Sequence, residues 1–346
     1  MNARGAAVRL VIGLALTFLL GGCAAGASVS PSSPPVTTAS PSTAAATTTP
    51  RATPTVVVTR DIAYESSNPV LTRGVLDVYA PVEAGPWPVV VMLPGGDKSF
   101  LSEHARRVSE LGFVILVANW GTSSGEPTYD FLLATGSQAA CAVEFARTHA
   151  AEYGGDPAAL ILFGHSAGAS TASIVALHRP QPASGCLGDA TLGEIDALVT
   201  WDGEWLAQTT YAGWDERIAA DPRVFDALAP WAYLPKHKDL RVVMLSETDA
   251  RADFDYDRPL PDEAAMDAFF GPRDPSGVLR AQLEANDALT DGVIDMLDAQ
   301  QLLFSILKAQ GNPVTLDVMP DTNHTTIGVD GWPVFLAAFE KAAAKD

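Results

Sequence analysis

Basic residues are scarce in this chain: 22 Lys and Arg stand against 41 Asp and Glu, for a net charge of −19 over 346 residues. The first 55 positions hold three arginines and no acidic residue, so all of the negative charge falls on residues 56–346. A domain this acidic repels phosphate backbones, which argues against nucleic-acid binding. The plain reading of the charge is solubility outside a cell. Charged residues of either sign are few, 18% against 47% hydrophobic, and that balance supplies a large core. Cysteine is limited to Cys23, Cys141 and Cys186, whose spacing matches no metal-ligand pattern. There is no internal repeat, which sets aside solenoids and propellers.

The N-terminus stands apart in composition. Arg4 and Arg9 precede an apolar run from Leu10 to Leu20, too short for a comfortable membrane span and built like a signal peptide. Leu20-Gly21-Gly22-Cys23 resembles the lipobox of bacterial lipoproteins, which implies lipidation of Cys23 as the new N-terminus. An ordinary cleaved signal with an incidental cysteine is the alternative, and either way export is expected. Residues 24–55 are almost entirely Ala, Ser, Thr, Pro and Gly, with no aromatic. Such a stretch buries too little apolar surface to offset chain entropy and reads as a disordered tether of about 30 residues. The expected organisation is a signal peptide over 1–22, a lipid-anchored tether over 23–55 and one folded domain over 56–346.

From residue 56 strand-like and helix-like runs alternate. Strands are expected at Val56–Ala63, Leu76–Tyr79, Val89–Leu93, Phe113–Ala118, Leu160–Phe163, Ala197–Trp201, Arg241–Leu245 and Val314–Val318. Helices are expected over 102–111, about 130–152, 167–178, 296–310 and from about Trp332 onward. Val89–Leu93 is a continuous apolar run stopped by Pro94-Gly95-Gly96, the pattern of a strand buried on both faces. Strands separated by helices over this length predict an α/β domain with a mostly parallel sheet flanked by helices. Residues 202–239 and 250–295, rich in Asp, Pro and aromatic residues, break the rhythm and are expected as excursions over the sheet's carboxyl edge. Cys141 falls on the helix before the Leu160–Phe163 strand and Cys186 in a loop after the helix that comes next. In an exported chain these two can form a disulfide, two unpaired buried thiols being the other reading.

Gly164-His165-Ser166-Ala167-Gly168 lies directly after an apolar strand and directly before a helix-like run. That is the setting of a nucleophile elbow, a turn so tight that small residues must flank the serine. Ala167 then offers its N–H at a helix N-terminus, where an oxyanion is stabilised. A serine needs a base. Of six histidines, His104 and His149 precede Ser166, His165 points away from it, and His178 ends the helix that Ala167 opens. His237 sits in a charged loop, and His324, in the loop after the last strand, remains as the base. The chain order serine, acid, histidine places the acid at the end of the Arg241–Leu245 strand, where Asp249 is the assignment. Glu247, Asp253 and Asp255 are its neighbours and remain open. The turn after Val89–Leu93 supplies the other oxyanion donors, with the N–H groups of Gly96 and Asp97 as candidates.

These segments together resemble the α/β-hydrolase superfamily, and within it small carboxylesterases and acetyl-esterase or feruloyl-esterase-like enzymes. Leu93-Pro94-Gly95-Gly96-Asp97 looks like their His-Gly-Gly-Gly oxyanion loop, with Pro94 for the histidine and Asp97 for the last glycine. Tyr153-Gly154-Gly155-Asp156-Pro157, continued by Leu160 through Gly168, is similar to their strand and elbow. Leu228-Ala229-Pro230 and Tyr233-Leu234-Pro235 match the spacing ahead of their acid, although Ser246 replaces the usual glycine. The resemblance spans roughly residues 70–345 and implies ester hydrolysis through an acyl-enzyme, with no metal and no cofactor. The expected partners are an ester substrate and, through Cys23, a membrane. Trp201, Trp205, Tyr211, Trp214, Trp231 and Tyr233 form either a pocket wall over the serine or ordinary packing of the excursion. A lipase or peptidase on the same fold, and a non-catalytic envelope-binding lipoprotein, are the alternatives.

Overall fold

The computed structural model describes residues 53–66, 71, 74–121, 128–203, 239–247 and 296–344, with short pieces at 220–221, 223–224, 258–259 and 293–294. The chain divides into residues 1–50 and 51–346, and every described residue belongs to the second unit. The expected signal peptide, Cys23, nearly all of the expected tether, Asp249 and five of the six aromatic residues of the expected pocket wall lie outside the described residues. Among the described residues, no helix is long and apolar enough to cross a membrane.

Eight strands form one sheet: β1 (Val56–Ala63), β2 (Val75–Pro81), β3 (Trp87–Leu93), β4 (Val114–Ala118), β5 (Gly155–His165), β6 (Ala197–Trp201), β7 (Arg241–Glu247) and β10 (Val314–Met319). Their order is β1-β2-β4-β3-β5-β6-β7-β10. Pairing is antiparallel for β1–β2 and β2–β4 and parallel from β4 onward. Two dipeptides, β8 (Arg258–Pro259) and β9 (Val293–Ile294), pair separately. The helices are α1 (Ser102–Ser109), α2 (Tyr129–His149), α3 (Ala167–His178), α4 (Met296–Ala309) and α5 (Gly331–Ala343). This is the expected mixed α/β architecture, a mostly parallel sheet flanked by helices.

The apolar runs explain the layering. Along β3, Val89, Val91 and Leu93 enter one core with α2, α3 and α4, while Val90 and Met92 enter a second core with α1 and α5. The period of two sends alternate side chains to opposite faces, so a strand covered on both faces must be apolar at every position. β5 starts earlier than its apolar run suggests. Gly154, at φ +79°, turns the chain so that Gly155 already pairs with Trp87, and the register shifts between Pro88 and Val89 to bring Leu160 opposite Val89. β5 also runs two residues past Phe163, carrying Gly164 and His165 to the sheet's carboxyl edge.

Cys141 on α2 and Cys186 in the loop after α3 are joined in a disulfide, with Cα atoms 5.4 Å apart. The same loop is held to the segment after β1 by the Leu187 N–H donating to the Tyr64 carbonyl and the Ser66 N–H to the Gly185 carbonyl. The bridge closes a sequence separation of 45 residues, long enough to remove substantial entropy from the unfolded chain. Cys186→Ser is therefore expected to lower stability by about 2–4 kcal/mol. Urea unfolding of the oxidised protein and the variant checks this, together with a thiol count that finds no free pair in the unreduced parent.

Candidate active site

The β5–α3 junction leaves no room for side chains. A Cβ on Gly164 would strike the Gly168 carbonyl and the Ala169 backbone, and one on Gly168 would strike the carbonyls of Leu93 and Pro94. Between them Ser166 is held at φ +56°, ψ −129°, a conformation that L-residues rarely adopt. The surrounding backbone enforces it: the Ser166 N–H donates to the Trp201 carbonyl at 2.9 Å, and the Ser166 carbonyl accepts from Ala169 N–H at 2.8 Å. The turn presents the hydroxyl at the carboxyl edge of the sheet, with Ala167 opening α3. Its N–H lies at the positive end of that helix.

His324 arrives from the loop after β10, where Asp321 takes φ +50° and Asn323 ties the turn. The Asn323 Oδ1 accepts from the N–H groups of Thr325 at 3.1 Å and Thr326 at 2.7 Å. This places His324 Nε2 2.8 Å from Ser166 Oγ, a hydrogen bond sheltered from solvent. The serine and the histidine expected from the sequence are thus brought together.

On the other side of the imidazole stands an acid that the sequence pattern does not single out. Asp202 comes directly after β6 at φ +46°, is fully buried, and has Oδ2 3.6 Å from His324 Nδ1. That is an ion-pair separation, longer than a hydrogen bond. Its other oxygen accepts from the Glu247 N–H at 3.0 Å, and its own N–H donates to the Leu245 carbonyl at 3.1 Å. Burial raises the Asp202 carboxyl above the ordinary carboxylate range, while His324 and the Glu247 N–H pull it back toward ionisation. Glu247, buried at the end of β7, completes a group in which one atom each from Asp202, Glu247 and His324 lies within 4.8 Å of the others. Donor atoms at that spacing can hold a cation. A cation on Nδ1 would compete with Asp202 for the side of the ring that Asp202 orients.

Asp249, the acid expected from the sequence, lies outside the described residues. Asp202 carries a readable signal, since it is the residue directly after a strand that pairs with β5. Trp201-Asp202-Gly203 reads instead as the start of the excursion, and that hides it.

The turn after β3 meets the serine through Gly95 rather than Gly96. A Cβ on Gly95 would lie 2.7 Å from Ser166 Cβ and 3.2 Å from its Oγ, whereas one on Gly96 would meet nothing within 4 Å. Asp97 caps a short 3-10 helix, Lys98–Leu101, its carboxylate accepting from the Ser99 N–H at 2.8 Å. The Ser99 side chain, and then this backbone bond, hold its carboxyl below the usual range. The turn is pinned at both ends. Pro94 O accepts from Trp120 Nε1 and Lys98 N–H donates to Asn119 Oδ1, each at 2.9 Å. The Lys98 ammonium also bonds the buried carboxylate of Asp77.

The remaining described histidines are otherwise engaged. His104 is buried among Phe100, Trp201, Trp332 and Phe335, where desolvation takes its pKa to about 4. His149 pairs with Glu152 at 2.8 Å. His178 ends α3 and is exposed. His165 donates its Nε2 proton to the His324 carbonyl at 2.7 Å.

Known proteins share the fold and the segment that carries the elbow. The BD-FAE family matches residues 76–184, from β2 through α3, which includes the elbow but neither His324 nor Asp202. Among solved structures, an esterase from Thermogutta terrifontis with propionate bound aligns with a TM-score of 0.53 at 15% identity, over 84% of this chain and 93% of its own. Esterase B from Lactobacillus rhamnosis aligns with a TM-score of 0.57 at 14% identity, over 83% and 86%. A truncated carbohydrate esterase from gut microbiota gives 0.57 at 15%, over 85% and 98%. No curated protein sequence matches. At these identities the likeness establishes the fold, and the protein has the α/β-hydrolase fold.

Because Gly95 and Gly96 differ so sharply in surrounding space, they can be separated. Gly95→Ala is expected to push the turn off Ser166 and slow its labelling by a fluorophosphonate by roughly 10-fold or more, since a 1 Å displacement at a reacting centre costs about 100-fold. Gly96→Ala, which keeps its N–H and adds a carbon into open space, is expected to cost far less. Labelling rates of the two variants, measured side by side, decide it.

Proposed function

We propose that this protein is a serine hydrolase cleaving carboxylic esters through an acyl-enzyme, with Ser166 as nucleophile, His324 as base and Asp202 as the acid behind it. The observation that carries the reading is the 2.8 Å bond from Ser166 Oγ to His324 Nε2, made by a serine strained at a strand-to-helix elbow. The BD-FAE match across the elbow and the esterase structures sharing the fold support it.

The chemistry follows from the positions. A serine hydroxyl is a weak nucleophile until a base takes its proton. His324 Nε2 accepts that proton as Oγ bonds to the ester carbonyl, and the new imidazolium faces Asp202 across Nδ1. The tetrahedral oxyanion forms beside the Ala167 N–H and the Gly95–Asp97 turn, in a site where preorganised donors act at low dielectric. Collapse returns the proton from His324 to the departing alcohol. Water then enters by the same route in reverse, His324 taking its proton as it attacks the acyl carbon and returning it to Oγ. Every step is run by the chain's own groups.

Purified chain is expected to hydrolyse short-chain p-nitrophenyl esters and to be labelled at Ser166 by a fluorophosphonate. Ser166→Ala should abolish both. Asp202→Asn, which keeps shape and removes the charge that fixes the histidine tautomer, should lower kcat by about 10⁴-fold, and Asp249→Asn far less. If Asp249→Asn is instead the more damaging, the acid belongs at the end of β7 and Asp202 only packs. An unlabelled, inactive parent would mean a binding protein on a hydrolase scaffold.

For location, the proposal is export with Cys23 lipidated, residues 24–55 tethering the domain to the outer face of a membrane. It rests on the Leu20-Gly21-Gly22-Cys23 pattern and on the composition of residues 24–55. A disulfide suits an oxidising compartment and supports the same placement. Cys23→Ala is expected to move the protein from the membrane pellet to the released fraction. Retention in the pellet would count against the lipid anchor.

A further inference from the structure

We infer that His165, the residue before the nucleophile, is a positioning residue that fixes the base by binding the main chain of His324. This rests on the assignment of Ser166 and His324 as nucleophile and base.

The chemistry of the contact sets its direction. His165 Nε2 lies 2.7 Å from the His324 carbonyl oxygen. A carbonyl can only accept, so Nε2 carries the proton. In the neutral ring Nδ1 is then bare, and this suits its surroundings: Nδ1 is buried and has no hydrogen-bond partner among the described residues. The opposite tautomer would bury an unpaired N–H and face two lone pairs toward each other, each costly in a dry interior. Desolvation, with His324 and His104 nearby, also holds His165 well below its ordinary pKa, so the ring stays neutral.

The geometric consequence is a closed circuit. Ser166 Oγ meets His324 Nε2, the His324 main chain meets His165 Nε2, and His165 is covalently the neighbour of Ser166. Nucleophile and base are held at two points, so the 2.8 Å distance does not depend on the loop after β10 alone. The ring extends the grip further. It stacks on Phe100, beyond the oxyanion turn, with centroids 4.8 Å apart, and packs at a tilt on Trp201, the residue before Asp202, at 4.2 Å. Its centroid is 4.9 Å from that of His324 itself. One buried side chain therefore touches the segments that bring the oxyanion turn, the acid and the base to the serine. A side chain directed away from the nucleophile is the one placed to hold the partner that comes from outside the elbow.

Two substitutions separate the hydrogen bond from the packing. His165→Phe keeps a flat ring between Phe100 and Trp201 and loses the donor. His165→Gln carries an N–H donor at the position of Nε2. With p-nitrophenyl acetate as probe, His165→Phe is expected to lower kcat by about 10- to 100-fold with KM changed by less than about 3-fold, in keeping with the cost of a small misplacement. His165→Gln should recover most of that loss. Unchanged kcat in His165→Phe, or no recovery in His165→Gln, overturns the proposal. An arm that does not need activity is nitrogen NMR of the parent chain labelled in histidine. A neutral Nε2–H tautomer at His165 at neutral pH supports the tether, and an Nδ1–H tautomer overturns it. Should His165→Phe fail to fold, this arm and His165→Gln still decide. A parent that neither turns over esters nor labels at Ser166 defeats the esterase reading, while the tautomer still reports on the tether.

Discussion

The close approach of α3 to the end of β3 is the constraint on which the site depends. At Gly168 the helix backbone lies directly against the Leu93 and Pro94 carbonyls, and at Gly164 the strand backbone lies against Gly168 and Ala169. Nothing larger than hydrogen fits at either position, and the consequence is a serine at φ +56°. A left-handed residue costs of order 1–3 kcal/mol and persists only where its surroundings over-determine it. Here they do, through parallel pairing on both sides of β5 and through α3 seated in the core that β3 shares. The strain is local, the support is the whole sheet, and the result is a hydroxyl presented at a fixed point.

Around that point the interior is unusually polar for so apolar a domain. Ser166, His165, His324, Asp202 and Glu247 are all buried within a few residues of strand ends. Buried charges are tolerated only where partners meet them. The strand ends provide those partners: the Glu247 N–H reaches Asp202, the Trp201 carbonyl accepts from Ser166, and the His324 carbonyl accepts from His165. Main-chain groups at the strand ends and in the loop after β10 hold these residues in place. A parallel sheet collects all of these ends on one edge, which is why residues as far apart in sequence as Ser166, Asp202 and His324 meet there.

Much of this is legible in the sequence, and the failures have physical reasons. Apolar runs fix strands buried on both faces, so β3, β4, β6 and β7 and the helices between them are readable to within a few residues. The elbow is readable because sterics restrict it to small residues. The histidine comes by elimination and position. Asp202 does not, because a run of apolar residues marks a strand but says nothing about which charged residue beyond its end turns inward. Asp202 turns inward at φ +46°, and no pattern announces that. Gly95 and Gly96 are indistinguishable as letters, and only the three-dimensional crossing of β3 with the elbow tells them apart. His165 is excluded as the base because it points away from the serine. That direction is right, but what lies there is the main chain of His324.

The two acids also bear on how such a site tolerates change. β6 and β7 are neighbours in register, Trp201 opposite Leu245, so Asp202, just past β6, and Glu247, the last residue of β7, meet at the same end of the sheet. Asp202 closes over the end of β7 by donating to Leu245 and accepting from Glu247. A carboxylate from either strand end can therefore stand behind a histidine delivered from the loop after β10, which pairs with β7. Ser166 has no such freedom, because the elbow between β5 and α3 is what holds it. His324 is constrained by its need to reach that turn. A carboxylate beside it needs only to be buried and near Nδ1, a weaker demand that more than one strand end can meet. Chain order alone is for that reason the weakest guide to the acid, and the neighbouring ends of β6 and β7 are where the choice has to be made.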